Sequence, residues 1–303
     1  MAVSAHNCRA WLLALACAFG ACRSASAASP AACLAQPLAE IAIGLERGVP
    51  LITLAIDGGA ATLVLDTGAE RTILTVGAAR RLGLEGHYAY ARTMHGVGAG
   101  EVRPGRLAAG ALPLTGYSLL VAPITLPSVG GQAIDGLLGA DLLADFDLDL
   151  DFVHRRVRFY KASACAAPSW PPPYSSIAAH VSLHRHLFFP VRLDGQDMAA
   201  FIDTGSQFTV VDAAAAVRSG LTQAALRLDR AVTVRGAAAV SVGAHVHRFD
   251  RLEVAGGVTR DSSAIVARLD LDDADLILGA DYLAAHRVWL SYNARTVFVG
   301  PRG

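Results

Sequence analysis

The chain carries no net charge: 26 Lys and Arg balance 26 Asp and Glu over 303 residues. With no charge run or basic stripe, overall electrostatics offer nothing to nucleic acid or to an anionic membrane. Metal and nucleotide signatures are missing too. Gly98, Gly100 and Gly105 lack the strand-to-helix context of a dinucleotide fingerprint. Asp145, Asp147, Asp149 and Asp151 come without the loop glycine and closing glutamate of a calcium loop. Their alternation with Phe146, Leu148, Leu150 and Phe152 predicts a half-buried strand with an acidic outer face. His184 with His186, and His245 with His247, have no cysteine or carboxylate at a zinc-ligand spacing, and read as solvated strand histidines. Aromatic residues are few, at 7%, while there are 29 glycines, a balance that suits many short strands and tight turns better than helical bundles.

The one N-terminal apolar run, Ala10–Ala21 after Arg9, falls short of the roughly 20 residues that span a bilayer and suits a signal peptide. Ala25-Ser26-Ala27 supplies a small-x-small cleavage site, so 1–27 reads as a signal peptide of an exported, periplasmic or secreted chain without stable membrane insertion. Phe19-Gly20-Ala21-Cys22 loosely resembles a lipoprotein cleavage box, which leaves anchoring at Cys22 as an alternative. Cleavage near Ala27 removes three of the five cysteines and leaves Cys33 and Cys165. In an exported protein an even pair is a disulfide candidate, the alternative being two unrelated thiols.

The rest of the chain is one unit written twice. Ile56-Asp57-Gly58 and Leu193-Asp194-Gly195 each sit between strand-like runs, as hairpin turns do. Nine residues beyond each Asp come Asp66-Thr67-Gly68 and Asp203-Thr204-Gly205. Both copies continue through an Ala-rich stretch that ends at Gly83-Leu84 or Gly220-Leu221, a brief helix with a glycine stop. Both then reach Gly136-Leu137-Leu138-Gly139-Ala140-Asp141 or its counterpart Leu276-Ile277-Leu278-Gly279-Ala280-Asp281, and both close on a strand pair. Shared order and spacing mark an internal repeat. The copies span 28–160 and 177–303, with a stiff connector at 161–176 around Pro168 and Pro171-Pro172-Pro173.

A carboxylate at the end of a buried strand is costly unless something requires it. If the copies pack about a pseudo-two-fold axis, Asp66 and Asp203 meet there. Two such carboxylates cannot both ionise cheaply, so they share a proton: one serves as base toward a water, the other as acid toward a carbonyl. Thr67 and Thr204 could bond across the axis, and Gly68 and Gly205 permit close backbone approach.

The segments Leu65–Leu74 and Ile202–Val211 resemble the active-site loops of retropepsin-like aspartic proteases, and Leu137-Leu138-Gly139 and Ile277-Leu278-Gly279 resemble that family's second signature. The resemblance implies an all-β, mostly antiparallel fold of two closed lobes with a short helix each, in a pepsin-like bilobal arrangement. It implies no metal and no organic cofactor. Asp66 and Asp203 would be the catalytic pair, with Thr67 and Thr204 gripping between lobes. Gly68, Ala69, Gly205 and Ser206 would support and orient the carboxylates. Met94-His95-Gly96-Val97-Gly98 would form a flap, or an ordinary surface hairpin; it lacks the tyrosine of pepsin flaps. The second equivalent, around Val234–Ala237, matches less well.

The expected function is aspartic endopeptidase on a polypeptide substrate, acting as a monomer. A peptide-binding module with weak turnover and a structural oligomer whose lobes pair between chains remain alternatives. Mass analysis of protein from the producing cell is expected to place the mature terminus near Ala28 and to show Cys33 bonded to Cys165; an intact Met1 or two free thiols would contradict this.

Overall fold

The computed structural model describes residues 36–84, 91–92, 98–162, 167–171, 173–235, 241–268 and 274–302. The expected signal peptide, Cys33, Cys165 and Met94–Val97 lie outside these residues, as do 236–240. The two Asp-Gly pairs turn the chain as the sequence suggests. All four residues have positive φ (45° and 89° at Asp57 and Gly58, 48° and 84° at Asp194 and Gly195), as a two-residue type I′ loop requires. They join strand Val49–Ile56 to Gly59–Leu65 and Leu187–Leu193 to Gln196–Ile202. Both aspartates also reach beyond the turn. Asp57 accepts from the Arg106 amide at 2.6 Å and Asp194 from the Arg251 amide at 2.8 Å, which pins the neighbouring strand to each hairpin.

Helix Val76–Arg81 starts where Thr75 Oγ1 accepts the Ala78 amide at 3.1 Å and ends before Gly83 at φ 68°. Its repeat, Ala213–Arg218, is capped by Asp212 and stops before Gly220 at φ 97°. In lobe one, Gly136–Leu138 slots in parallel to Gly59–Leu65 and antiparallel to Ile73–Thr75. Leu276–Leu278 does the same in lobe two, between Gln196–Ile202 and Val210–Asp212. These inserted strands are wholly buried and run beneath the Asp-Thr-Gly loops. Each lobe is therefore a mostly antiparallel β-structure with two parallel pairings, the second joining Leu119–Ala122 to Ile73–Thr75 in lobe one and Gly257–Ala267 to Val210–Asp212 in lobe two. Lobe two closes through pairing of Leu187–Leu193 with Ser241–Val254.

A third sheet belongs to both lobes. Its six strands run in the order Ala39–Ala42, Arg156–Lys161, Phe146–Asp151, His286–Ser291, Thr296–Arg302, Ser175–Ala178. The central pair joins the lobes antiparallel, with Leu148 opposite Leu290 and Asp149 opposite Trp289. Ser175 and Ser176, expected in the connector, are the first residues of an edge strand here. The connector also packs instead of merely spanning: Ala167 and Trp170 are buried with Tyr160, Trp289 and Phe298.

This sheet corrects the expectation for the alternating acidic strand. Leu148 and Leu150 face the core as anticipated, but Asp147, Asp149 and Asp151 are buried as well. The opposite face of the sheet is covered, so each carboxylate needs a partner. Ser291 Oγ donates to Asp147 at 2.7 Å. Asp149 receives Arg287 through Nε at 2.8 Å and Nη2 at 2.5 Å, and Arg158 at 3.2 Å. Lobe one thus supplies a carboxylate that guanidiniums from both lobes neutralise. Only Asp145, at the strand's start, remains accessible, with its side chain 48% exposed. Asp149→Ala is expected to destabilise by about 3 kcal/mol, because half-buried Arg287 loses its two-point partner and keeps only Asp151 at 3.7 Å and the Trp170 ring. Asp145→Ala should cost no more than about 1 kcal/mol, since its bonds to Tyr117 and Arg185 are exposed. Urea unfolding of both variants makes the comparison, and equal effects would contradict it.

Candidate active site

The Asp-Thr-Gly loops leave the ends of Gly59–Leu65 and Gln196–Ile202 and meet between the lobes. The Asp66 amide donates to the Leu138 carbonyl at 3.0 Å, and the Asp203 amide to the Leu278 carbonyl at 3.0 Å, so each loop is sewn to its inserted strand. The turn that follows aims two amides at each carboxylate. Asp66 Oδ1 accepts from Gly68 at 3.0 Å and Ala69 at 2.9 Å; Asp203 Oδ1 accepts from Gly205 at 2.9 Å and Ser206 at 3.2 Å.

The threonines hold the loops to one another. Thr67 Oγ1 donates to the Ile202 carbonyl at 2.7 Å and accepts the Thr204 amide at 3.1 Å. Thr204 Oγ1 donates to the Leu65 carbonyl at 2.6 Å and accepts the Thr67 amide at 3.0 Å. Both side chains are buried. The glycines are a steric necessity: a Cβ on Gly68 would lie 2.6 Å from both carboxylate oxygens of Asp203, and one on Gly205 would meet Asp66 at the same distance.

This packing sets the electrostatics. Burial, the Asp203 charge and a hydrogen bond to Asp203 hold the Asp66 carboxyl well above the ordinary carboxylate range. Burial also raises Asp203, against the Gly205 amide and other contacts that pull it down. Two adjacent carboxyls in these surroundings retain one proton between them. Each keeps part of its surface accessible, so a small polar molecule can reach the pair. Such a site can take a proton from one reactant while giving one to another.

The structure thus brings together Asp66, Thr67, Gly68 and Ala69 with Asp203, Thr204, Gly205 and Ser206. Ser206 differs from expectation in one respect. Its amide meets Asp203, but its hydroxyl turns away and donates to the Phe208 carbonyl at 2.8 Å. Of the expected flap, only Gly98 falls within the described residues, at the start of strand Gly98–Val102. Among the described residues no group of three His, Cys, Asp or Glu side chains is arranged to hold a metal.

Sequence reasoning missed a layer of support. Asp141 Oδ1 accepts both the Thr72 amide and the Thr72 hydroxyl at 2.8 Å, and Thr72 Oγ1 accepts the Gly139 amide at 3.0 Å. Asp281 and Thr209 repeat the arrangement, at 2.9 and 2.8 Å. The signal was present: a Thr six residues after each Asp, and an Asp two after each signature glycine. His186 was also misread. It is half-buried beside the first loop, 3.0 Å from the Gly68 carbonyl.

Two lobes that each bring an Asp-Thr-Gly loop to a pseudo-two-fold axis define the bilobal aspartic proteinase fold. The chain is similar in structure to the aspartic proteinase from Irpex lacteus, with a TM-score of 0.57 over 88% of this chain and 97% of that one, at 12% identity. A family model described as aspartyl protease matches residues 52–142 and 189–282, once in each lobe, and the chain belongs to that family. No curated protein sequence matches it.

The grip sets an expected hierarchy of stability. Thr204→Val keeps the shape but leaves the buried Thr67 amide and Leu65 carbonyl unpaired, so it should cost about 2 kcal/mol or more. Ser206→Ala, whose hydroxyl serves only a local turn, should stay within about 0.5 kcal/mol. Denaturant midpoints compare the two, and a Thr204→Val variant of native stability would mean that the grip does not hold the lobes.

Proposed function

We propose that the chain is an aspartic endopeptidase in which Asp66 and Asp203 activate one water between them for attack on a peptide carbonyl. The observation that carries this reading is the close approach of the two loops, which packs each carboxyl against the other loop's glycine; burial raises both carboxyls, and the Asp203 charge raises Asp66 further. In the reaction, the ionised carboxylate takes a proton from the water as its oxygen bonds to the carbonyl carbon. The protonated partner gives its proton to the carbonyl oxygen, which yields a neutral gem-diol. Collapse of that intermediate breaks the C–N bond: the proton taken from water passes to the leaving nitrogen, one gem-diol hydroxyl returns its proton to the partner carboxylate as C=O re-forms, and the singly protonated pair is restored. The amides of Gly68, Ala69, Gly205 and Ser206 hold the carboxylates still throughout, so little reorganisation is needed as charge moves. The intramolecular threonine grip supports a single chain as the working unit, and partial access to the dyad favours turnover over mere peptide binding.

Asp66→Asn and Asp203→Asn should each abolish cleavage of an unstructured protein. The double variant should be little worse than either, because the two act as a unit. The native pH–rate profile should be bell-shaped, with both limbs belonging to the pair. A folded Asp203→Asn variant with near-native turnover would overturn the reading.

The same electrostatics bear on stability. Because the carboxyls are raised in the folded chain, it holds a proton that the unfolded chain releases. Stability contributed by the site therefore falls as pH rises from about 4, the unfolded value, through the raised value of the pair. Asp66→Asn removes the share of this loss that belongs to Asp66, the more strongly raised of the two. It should unfold at higher denaturant than the native chain at neutral pH, with the difference vanishing below about pH 4.

A further inference from the structure

The turn before strand Leu187–Leu193 departs from the two-fold symmetry of the site. Three consecutive residues of lobe two reach into lobe one there. His184 Nδ1 lies 2.8 Å from Glu70 Oε1. Arg185 donates to the Asp141 carbonyl at 3.0 Å and to Asp145 at 3.1 Å. His186 Nε2 lies 3.0 Å from the Gly68 carbonyl. A carbonyl only accepts, so Nε2 of His186 carries the proton. The ring stacks on Phe201, two residues before Asp203, with centroids 4.8 Å apart and planes 8° from parallel.

Lobe one has no counterpart. His186 stands eight residues before Asp194, and the residue eight before Asp57 is Val49, which can donate no side-chain hydrogen bond. Val49 is instead buried with Leu51, Val64 and Leu137.

We propose that His186 is a positioning residue for the dyad: from the second lobe it holds the Gly68 carbonyl, and so the loop that presents Asp66, while setting a titratable ring beside Asp203. The peptide joining Gly68 to Ala69 links the two tasks. Its carbonyl takes the His186 proton, and its N–H, on Ala69, points at Asp66 Oδ1. A peptide unit is planar, so fixing the carbonyl fixes the direction of the amide. The donor is also polarised in the useful sense, since a hydrogen bond accepted at the oxygen strengthens the one given by the same peptide.

The ring's charge acts on the other carboxyl. The groups facing His186 are Asp203, Glu70 and His184. Burial lowers the affinity of His186 for a second proton, against the pull of Gly68, Asp203 and Glu70, so it stays neutral into mildly acid solution. Once protonated it keeps the bond to Gly68 and places a positive charge near Asp203, favouring that ionised carboxylate. His186 would thus extend the singly ionised, active form of the pair toward lower pH. It also makes the two halves of a near-symmetric site unequal.

This inference rests on the peptidase reading, so its test includes a readout without turnover. His186→Leu and His186→Gln are compared with the native chain in kcat, KM and pH profile on an unstructured protein. Carbon-13 resonances of the Asp66 and Asp203 carboxyls, assigned from the Asn variants, are followed as pH falls. Leu cannot donate, so its kcat should fall about tenfold, the worth of one well-placed hydrogen bond, with KM within about twofold. Gln offers an amide donor but no titrating ring. It should recover most of kcat while its acid limb, and the lower apparent pKa of the carboxyl pair, both move upward. If the native chain cleaves and neither variant changes kcat or the acid limb, the proposal falls and the peptidase reading stands. If the native chain cleaves nothing but His186→Gln still moves the carboxyl titration, the peptidase reading falls and the brace stands.

Discussion

Two buried threonine hydroxyls join the halves of the molecule at the point where its chemistry would occur. Each accepts the opposite loop's amide and donates to a carbonyl at the end of the opposite strand. Neither can be satisfied within its own lobe, because the partners it needs are supplied only when the lobes meet. The rest of the site follows. With the threonines engaged, Gly68 faces Asp203 and Gly205 faces Asp66 at distances that leave no room for a Cβ. The carboxyls are then close enough to share a proton; burial raises the proton affinity of both, and the charge of Asp203 raises that of Asp66 further.

The chain buries acidic residues in two places, for opposite ends. On the shared sheet, Asp149 meets Arg158 and Arg287, and the charges cancel across the lobe boundary. At the axis, two carboxyls meet each other with neutral amides and hydroxyls around them, and no guanidinium intervenes among their hydrogen bonds. The first arrangement joins the two lobes through paired charges. The second works against stability once its proton is lost. A site of this kind survives because the surrounding structure, including the six-stranded sheet, holds it in place.

Much of this could be read from the sequence because it is local or repeated. Asp57-Gly58 and Asp194-Gly195 specify tight turns through backbone preference alone, and Gly83 and Gly220 end their helices for the same reason. The recurrence of Asp-Thr-Gly nine residues after each turn gave the candidate pair without reference to packing. What went astray depended on partners far along the chain. Asp147, Asp149 and Asp151 alternate with apolar residues as an exposed edge would, and only the strand from lobe two and the connector cover them. His186 sits in a pattern indistinguishable from that of a surface strand until lobe one approaches it.

By itself, then, the sequence determined the units: where each hairpin turns, where the helix after each loop stops, which residues form the two loops, and that these landmarks occur twice. Those features follow from φ preferences, side-chain periodicity and spacing, all of which act within a few residues. Tertiary structure alone decided how the units are joined and which near-equivalent residues differ in role. It buried the acidic strand between arginines of both lobes, turned the Ser206 hydroxyl away from Asp203, and set His186 on one carbonyl of an otherwise two-fold site. The physical reason is that burial and electrostatic partnership are properties of three-dimensional neighbours. For His186 and for the Asp149–Arg287 pair, those neighbours lie more than a hundred positions away in the chain.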